Sequence, residues 1–583
     1  MSFELPPVTL ITSTDGLENI SRTLMRAPAI ALDTETIRAD TADTRPDPRR
    51  DRLRLIQLAT PEQTYVIDCE KVFPGVLWDL FKRQDLTLIG HNIAFDLQAL
   101  RSASAPWPDC NLIDTMLAVQ VLGMGMEEPK ESYSLGDVVD FFLGSPLDKS
   151  LQLSDWSGDL SEAQLRYAAV DTAILLPLWA EILPRLQRAE LVKIAALEGN
   201  VAAGVAWMSW NGMKVDRQRW LAQADVQRVR RAALDGELDE MAGRTINWAS
   251  AKAQVLPVLR ARGLAIEKTD EETLTPYVTD PVVSKLLERR EAAVLAQTYG
   301  EKWLRHIHPN TGRVHPEFLQ CNSRAGRMIA NHPNLQNIPR HHSMYRTFFV
   351  ADEGNILIKG DYDQIEMRLA ALISGDERMI AAYQRGEDLH RLTASGLLDV
   401  PVEQITTQQR QLAKPVNFGL IYSMSAPGLQ RYAYKDYRVE MTVEQAKAHR
   451  DRWFELYPGI ADWQRRIDRN LRARGTLDTR TLMGRRRHSV DYPGAAYNSP
   501  VQGSAADGCK LALVRVYRQW HRDSNIKLVN MVHDELVLEV STDIVEDIAH
   551  DLQQAMSEPM VEMVGGRIPI KVEITTGPTW GGG

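Results

Sequence analysis

Cysteine is scarce: four residues in 583, at Cys69, Cys110, Cys321 and Cys509. Their separations match neither zinc-ligand nor redox spacing, so neither a disulfide framework nor a zinc-stapled domain is indicated. Buried thiols in a reducing compartment are the expectation that remains. Long apolar runs are lacking too, since none reaches the roughly 18 residues of a membrane span. No basic and apolar leader opens the chain, so the secretory reading falls away with the membrane one. Nor is there an excess of positive charge, the net value being −9. That argues against a protein that binds nucleic acid over its whole surface. It does not argue against one basic channel, because local clusters make the phosphate contacts. What is present is ordinary for a globular protein, with 44% hydrophobic and 25% charged residues, and the length calls for several domains.

The stretch Ile356-Leu357-Ile358-Lys359-Gly360-Asp361 reads as a strand running into an acidic tip, with an apolar helix following from Met367 to Ile373. A carboxylate at a strand end sits where a divalent cation could meet a phosphate, although a lone one is usually a solvated turn. A second tip changes the balance. Leu528 to Val540 reads as two strands meeting at His533-Asp534-Glu535. If those strands pair with the first, Asp361 and Asp534 converge on the same two cations. Ions about 3.5–4 Å apart can clamp the attacking and leaving oxygens of a phosphoryl transfer. Between the tip and the helix, Asp363-Gln364-Ile365-Glu366 has capping-box spacing, which makes Asp363 the expected N-cap.

Earlier in the chain, Ala29 to Thr36 has a strand pattern that puts Asp33 and Glu35 on one face. Arg38 to Arg52 is polar and broken by proline, a mobile loop before the strand Leu53–Ala59. Another apolar run ends at Gly90, and His91 to Asp96 opens a helix on which Asn92 and Asp96 are neighbours. Tyr167 and Asp171 repeat that four-residue spacing inside a helical pattern. Singly, each pair is an ordinary surface feature. Together, Asp33-x-Glu35, Asn92 with Phe95-Asp96, and Tyr167-x-x-x-Asp171 resemble the three motifs of the DEDDy 3′–5′ exonucleases, from Pro28 to Leu186. The resemblance implies a ribonuclease-H-like fold in which Asp33, Glu35, Asp96 and Asp171 hold two divalent ions and Tyr167 orients the attacking water. Four crowded carboxylates would repel strongly unless cations neutralised them.

From Leu186 to about Asn310 the pattern is helical, with Asp216 placed to cap a helix carrying Arg217, Arg219, Arg228, Arg230 and Arg231. A charge run of this kind is normally a solvated face. From Gly312 onward the matches become dense. Arg324-Ala325-Gly326-Arg327-Met328 and Asn334 to Pro339, then Asp361 to Arg368, then Arg410-x-x-x-Lys414-x-x-Asn417-Phe418-Gly419-x-x-Tyr422, and finally Val532 to Glu535 follow the family A DNA polymerase motifs in order. The chain is identified as a member of that family, joined to a proofreading domain.

The resemblance implies an α/β multidomain protein: a ribonuclease-H-like exonuclease domain over 1–190, then a right-hand polymerase domain over 191–583. In the latter the thumb takes about 191–310, the palm 311–375 and 490–583, and the fingers 376–489. It implies template-directed DNA synthesis with proofreading, and two Mg2+ ions per site with Mn2+ as a substitute. Asp361, Asp534 and the Tyr362 carbonyl are the implied polymerase metal ligands. Arg410, Lys414 and His390 meet the triphosphate, Lys414 also aiding pyrophosphate departure. Phe418 and Tyr422 pack at sugar and base, Glu366 excludes ribonucleotides, and Gln364 joins the dNTP set. Arg327, Asn498, Gln502, His533 and Arg368 contact DNA, where minor-groove readout is nearly sequence-independent. Arg480, Arg485, Arg486 and Arg487 are candidates for template phosphates or for a solvated loop.

Primer-template DNA and dNTPs are the implied partners of a cytoplasmic monomer, bacterial or phage-encoded. Helicase, primase and single-strand-binding protein are compatible partners that no segment identifies. No 5′-nuclease domain is expected ahead of the exonuclease. Two departures from the motifs stand out: Asp363 replaces the usual Ser, and Ser423 stands where Gly commonly follows Tyr422. The competing reading is a DNA-binding scaffold with a silent polymerase site, against which Asp361, Asp534, Arg410 and Lys414 all stand.

Overall fold

The computed structural model describes residues 4–39, 45–124, 132–339 and 343–582. Six strands build the first sheet: β1 (Val8–Ile11), β2 (Ala29–Ile37), β3 (Arg52–Ala59), β4 (Thr64–Asp68), β5 (Thr87–Gly90) and β6 (Asn111–Asp114). Their order is β1-β4-β3-β2-β5-β6, with β2 antiparallel to β3 and parallel to β5. Ile30, Ala31 and Leu32 are fully buried, so β2 crosses the core before its acidic residues Asp33 and Glu35, which pair with Gln57 and Leu55 of β3. Part of the Arg38–Arg52 loop, residues 40–44, lies outside the described residues. The rest of it is tied down, because the Asp51 carboxylate accepts from the backbone N–H groups of Ala39 and Asp47 at 3.0 and 2.8 Å.

Helix Val192–Asn211 joins this sheet to the remainder of the molecule. It packs so closely that a Cβ on Gly199 would stand 2.2 Å from the Leu112 carbonyl oxygen of β6, and one on Gly204 would stand 2.2 Å from Leu513. One continuous apolar core therefore runs from the first sheet into the second half of the chain. Helices Arg217–Ala242 and Pro281–Thr298 follow and carry a small core of their own around Leu238, Trp248 and Leu286. Asp216 caps the first of them as expected, accepting from the Arg219 N–H at 3.0 Å.

The second large sheet is antiparallel, ordered Ile526–Val532, Glu535–Ser541, Asn355–Tyr362, Val572–Gly577. Helix Pro493–Trp520 lies against it, and five α-helices between Leu389 and Arg474 pack onto the same continuous core. Cys110, Cys321 and Cys509 are buried, Cys69 partly so, and all four are free thiols. One correction concerns hydropathy: the helical stretch Glu162–Ala189 is long and apolar enough to cross a membrane, though half of its most apolar window is buried inside the protein.

Candidate active sites

The first site is made by strand register. Asp361 pairs with Glu535 across the antiparallel ladder, and Val532 pairs with Glu535 on the other side, leaving His533-Asp534 as a two-residue turn. His533 takes the left-handed conformation that such a turn requires, with φ at 57°. The Tyr362 N–H donates to the Asp534 carbonyl at 3.3 Å, so Asp361 and Asp534 come together at one end of the sheet. Glu535 is not a third member. It is buried, accepts from the Trp580 indole at 2.5 Å and lies 3.4 Å from Arg346. The Tyr362 ring is locked inward, its hydroxyl donating to the Met556 carbonyl at 2.6 Å.

Helix Thr407–Ile421, started by a capping box between Thr406 and Gln409, reaches the helix that follows this tip through Tyr422 and Glu366. Arg410, Lys414 and Phe418 lie four apart along one face, and Tyr422 sits at the helix end. The Arg410 guanidinium bonds the Asp388 carboxylate at 2.6 Å. Burial would raise that carboxyl, but Arg410 and the backbone N–H groups of the next helix hold it below its ordinary value. His390 is buried beside them, and burial together with Arg410 pushes its imidazolium down to about 4. Farther along, Glu366 accepts from both the Arg327 guanidinium and the Tyr422 hydroxyl. Gln502 reaches the same tyrosine, and Asn498 sits one turn before it on helix Pro493–Trp520.

The second site gathers on the C-terminal half of β2. Asp33 and Glu35 share a face, Asp96 comes from helix Ile93–Ser102, and Asp171 and Tyr167 from helix Glu162–Ala173. The Thr34 hydroxyl donates to Asp96 at 2.7 Å. Burial, then Asp171, raises the Asp33 carboxyl to about 7, and burial with three neighbouring carboxylates raises Glu35 to about 10. Asp96 also rises well above its ordinary value, through burial first and Asp33 second. This cluster is short of positive charge. Among the described residues the cation at the cluster is Lys149, whose ammonium bonds Asp171 at 2.6 Å and lies 5.4 Å from the centre of the Tyr167 ring. Among the described residues no three His, Cys, Asp or Glu side chains are already closed around a single point. Sites of this chemistry complete a cation's shell with water and substrate oxygens.

Comparison with known proteins agrees with this geometry. The family model "DNA polymerase family A" matches residues 221–582, and "3'-5' exonuclease" matches residues 8–187. The chain belongs to DNA polymerase family A. DNA polymerase I of Aquifex aeolicus is 32% identical over 98% of this chain and 99% of its own length. The thermostable DNA polymerase I of Thermus aquaticus is 32% identical over 73% of this chain, which spans about half (52%) of that enzyme. A solved structure, the "POL domain of Pol1 from M. smegmatis complex with DNA primer-template and dNTP", shares the fold with a TM-score of 0.79 at 24% identity, covering 98% of this chain and 99% of that one. The protein is thus a DNA-directed DNA polymerase joined to a 3′–5′ exonuclease domain. Both domain families work with divalent metal ions.

Three expectations need correction in this polymerase. Arg368 is inside the protein rather than on a DNA path. Its guanidinium donates to the Asp363 carbonyl and carboxylate at 2.8 Å each and to the Pro569 carbonyl at 2.9 Å, and it stacks over Tyr383 at 4.3 Å. Asp363 is not a helix cap. Gln364 takes that position in the left-handed region with no side-chain capping bond, and its amide bridges Asp363 and Tyr383. Arg485 holds no phosphate, because it is buried between Glu198 and Asp507, 2.7 Å from the latter. Lys510 reaches the same Glu198 at 2.5 Å and the Gly326 carbonyl at 2.9 Å, which ties the joining helix to the Arg327 loop. Burial would raise the Glu198 carboxyl, but Lys510 and Arg485 outweigh it and hold the group at about 2.

Sequence reasoning missed two residues at the sites. Lys149 sits in an irregular segment with no periodic signal, 22 residues before Asp171. Cys509 lies buried beside Asp534 and Asp361, its thiol pushed well up by burial and by Asp534. Its place seven residues after Gln502, two turns along one helix, was the available signal.

Proposed function

We propose that the polymerase site extends a primer 3′-hydroxyl with dNTPs, using the residues gathered around the hairpin tip. Two divalent cations, magnesium with manganese as a substitute, would be held by Asp361, Asp534 and the Tyr362 carbonyl. When bound they supply charge for the attacking and leaving oxygens of the nucleotidyl transfer. The donor set fits them: two carboxylates stand at one sheet end, while the neighbouring Glu535 is neutralised elsewhere. Arg410, Lys414 and His390 hold the triphosphate, and Lys414 accompanies the departing pyrophosphate. Phe418 and Tyr422 contact sugar and base. Glu366, pinned by Arg327 and Tyr422, closes the space a ribose 2′-hydroxyl would need, and Gln364, its amide held between Asp363 and Tyr383, joins the dNTP set. Arg327, Asn498, Gln502 and His533 line the path of the primer-template, the class of ligand named for the structural neighbour.

In the exonuclease site Asp33, Glu35, Asp96 and Asp171 hold the second pair of cations. The raised carboxyls support this, since a cluster that resists its own ionisation is one that cations stabilise. Tyr167 orients the attacking water. The division is 1–190 for the exonuclease and 191–583 for the polymerase, the latter split into thumb, palm and fingers as the motifs suggest.

The observation that carries this reading is the register that places Asp361 beside a two-residue turn ending in Asp534. Primer extension and digestion of single-stranded 3′ ends test it. Asp534→Ala should abolish extension and keep digestion, and the pair Asp33→Ala with Glu35→Ala should do the reverse. Loss of both activities from either folded variant would overturn two independent sites. Absence of extension in the unmodified protein would favour a nuclease-bearing scaffold.

A further inference from the structure

Behind the cations of the dNTP face lies a buried polar chain that the reading above leaves unexplained. It consists of Trp453, Asn417 and His390, with Thr393 and Tyr457 alongside. The first three are 0%, 0% and 3% exposed, and the other two are equally sealed at 0% and 1%. In a space this dry, each polar atom needs a partner of the right kind.

The donor and acceptor roles can be worked out from one end. The Trp453 indole N–H meets Asn417 Oδ1 at 2.7 Å. An indole nitrogen can only donate, so the amide atom it faces is the oxygen. The Thr393 hydroxyl, 3.0 Å from the same oxygen and 2.8 Å from the Leu389 carbonyl, must donate to one of them, since both only accept. The Tyr457 hydroxyl therefore donates to Thr393, at 2.7 Å. With its oxygen fixed, Asn417 turns Nδ2 towards His390 Nδ1 at 3.0 Å. An amide NH2 only donates, so Nδ1 must accept and carries no proton. A neutral imidazole bonded in this way holds its proton on Nε2. That nitrogen has no hydrogen-bond partner among the described residues and is not one of the polar atoms sealed from solvent. Arg410 and Lys414 are its charged neighbours on the helix that follows, with Asp388 and Asp363 the acids that also face the ring.

We propose that Trp453 and Asn417 are positioning residues that lock His390 in the Nε2–H tautomer, so that it presents a neutral N–H donor to an anionic oxygen of the bound triphosphate. The ligand in that statement rests on the dNTP reading of the preceding subsection, whereas the tautomer stands on the buried geometry alone. The opposite tautomer would turn a lone pair towards the phosphate beside Arg410 and Lys414, opposing the binding that those cations favour. Burial holds the imidazolium out of reach at neutral pH, so a set tautomer is the way left for this ring to donate.

The test is nitrogen-detected NMR of the full chain labelled with 15N-histidine, the His390 signals being assigned with His390→Gln. The unmodified protein should show Nδ1 unprotonated and Nε2 protonated. Asn417→Asp places an acceptor at Nδ1, so the proton should move there, and KM for dNTP in primer extension should rise about tenfold or more while kcat changes less. Trp453→Phe removes the contact that orients the amide. It should give a mixture of tautomers and a smaller rise in KM. Circular dichroism and digestion of single-stranded 3′ ends report folding, and Trp453→Phe carries the test if Asn417→Asp does not fold. An Nδ1–H tautomer in the unmodified protein, or an unmoved tautomer in both variants, would overturn the lock. A shifted tautomer with unchanged KM would uphold the lock and reject instead the assignment of His390 to the triphosphate.

Discussion

Two buried clusters of charge in this molecule are built from the same kinds of residue and behave in opposite ways. Glu198 and Asp507 are matched by Arg485 and Lys510, and the Glu198 carboxyl sits at about 2. Among the described residues, Asp33, Glu35, Asp96 and Asp171 have the ammonium of Lys149 beside them, bonded to Asp171, and the Glu35 carboxyl is pushed up to about 10. Burial penalises both sets alike, so the difference lies in whether the partner charges come with the chain. Where the chain supplies them the cluster is a fastening. Where it leaves them out, the deficit is what the cations of the proposed exonuclease function would fill.

The sharpest way to break this contrast is to open the closed cluster. Lys510→Met should cost about 3–5 kcal/mol of stability by stranding a buried carboxylate, read as a fall in the denaturant midpoint. A neutral outcome would mean that the network is not a fastening. Neutralising the open cluster should do the reverse. The double change Asp33→Asn, Glu35→Gln should stabilise the metal-free protein by at least about 1 kcal/mol, abolish exonuclease activity and leave extension intact. A destabilised double variant would contradict the charge deficit.

Titration separates the two clusters without mutation. A carboxyl raised from 3.8 to about 7 makes the native state hold more protons than the unfolded one. Stability from the exonuclease cluster should therefore fall as pH climbs from about 4 through 7. Added Mg2+ or Mn2+ should then raise the melting temperature more at pH 8 than at pH 5. The Glu198 carboxyl, lowered from 4.5 to about 2, gives the opposite slope, losing stability as pH drops from about 4.5 towards 2. Equal metal-induced shifts at both pH values would remove the link between the open cluster and cation binding. The smallest expected effect serves as a control for strain without charge. Ser423 occupies the left-handed region at φ 56°, where a side chain is disfavoured, so Ser423→Gly should add about 1 kcal/mol with no change in pH response.

The sequence made the candidate carboxylates legible because each sits on an element whose period fixes its direction. Asp33 and Glu35 lie two apart on a strand, Tyr167 and Asp171 four apart on a helix, and Asp534 closes a two-residue turn. Ser423 was legible as an oddity, and its positive φ explains why glycine is common there. What stayed hidden was long-range pairing. Arg485 read as a surface cation because Glu198, which buries it, lies 287 positions away. Lys149 left no mark, since an irregular segment has no repeat to point its side chain. Asp363 misled for a subtler reason: a capping-box pattern predicts a cap only if the backbone enters the helix extended, and here Gln364 enters left-handed while Arg368 takes the Asp363 carboxylate.

The helix Val192–Asn211 has a consequence for how copying and erasing are traded. Because Gly199 and Gly204 let it seat against β6 on one side and Leu513 on the other, one continuous apolar core links the parts of the chain that carry the two candidate sites. On the proposed function, a DNA end that has been copied wrongly reaches the second site by unpairing from its template. The choice between adding and removing a nucleotide is then a race between the next addition and the fraying of the end. A mismatch, which frays more readily and is extended more slowly, tilts both terms of that race towards removal.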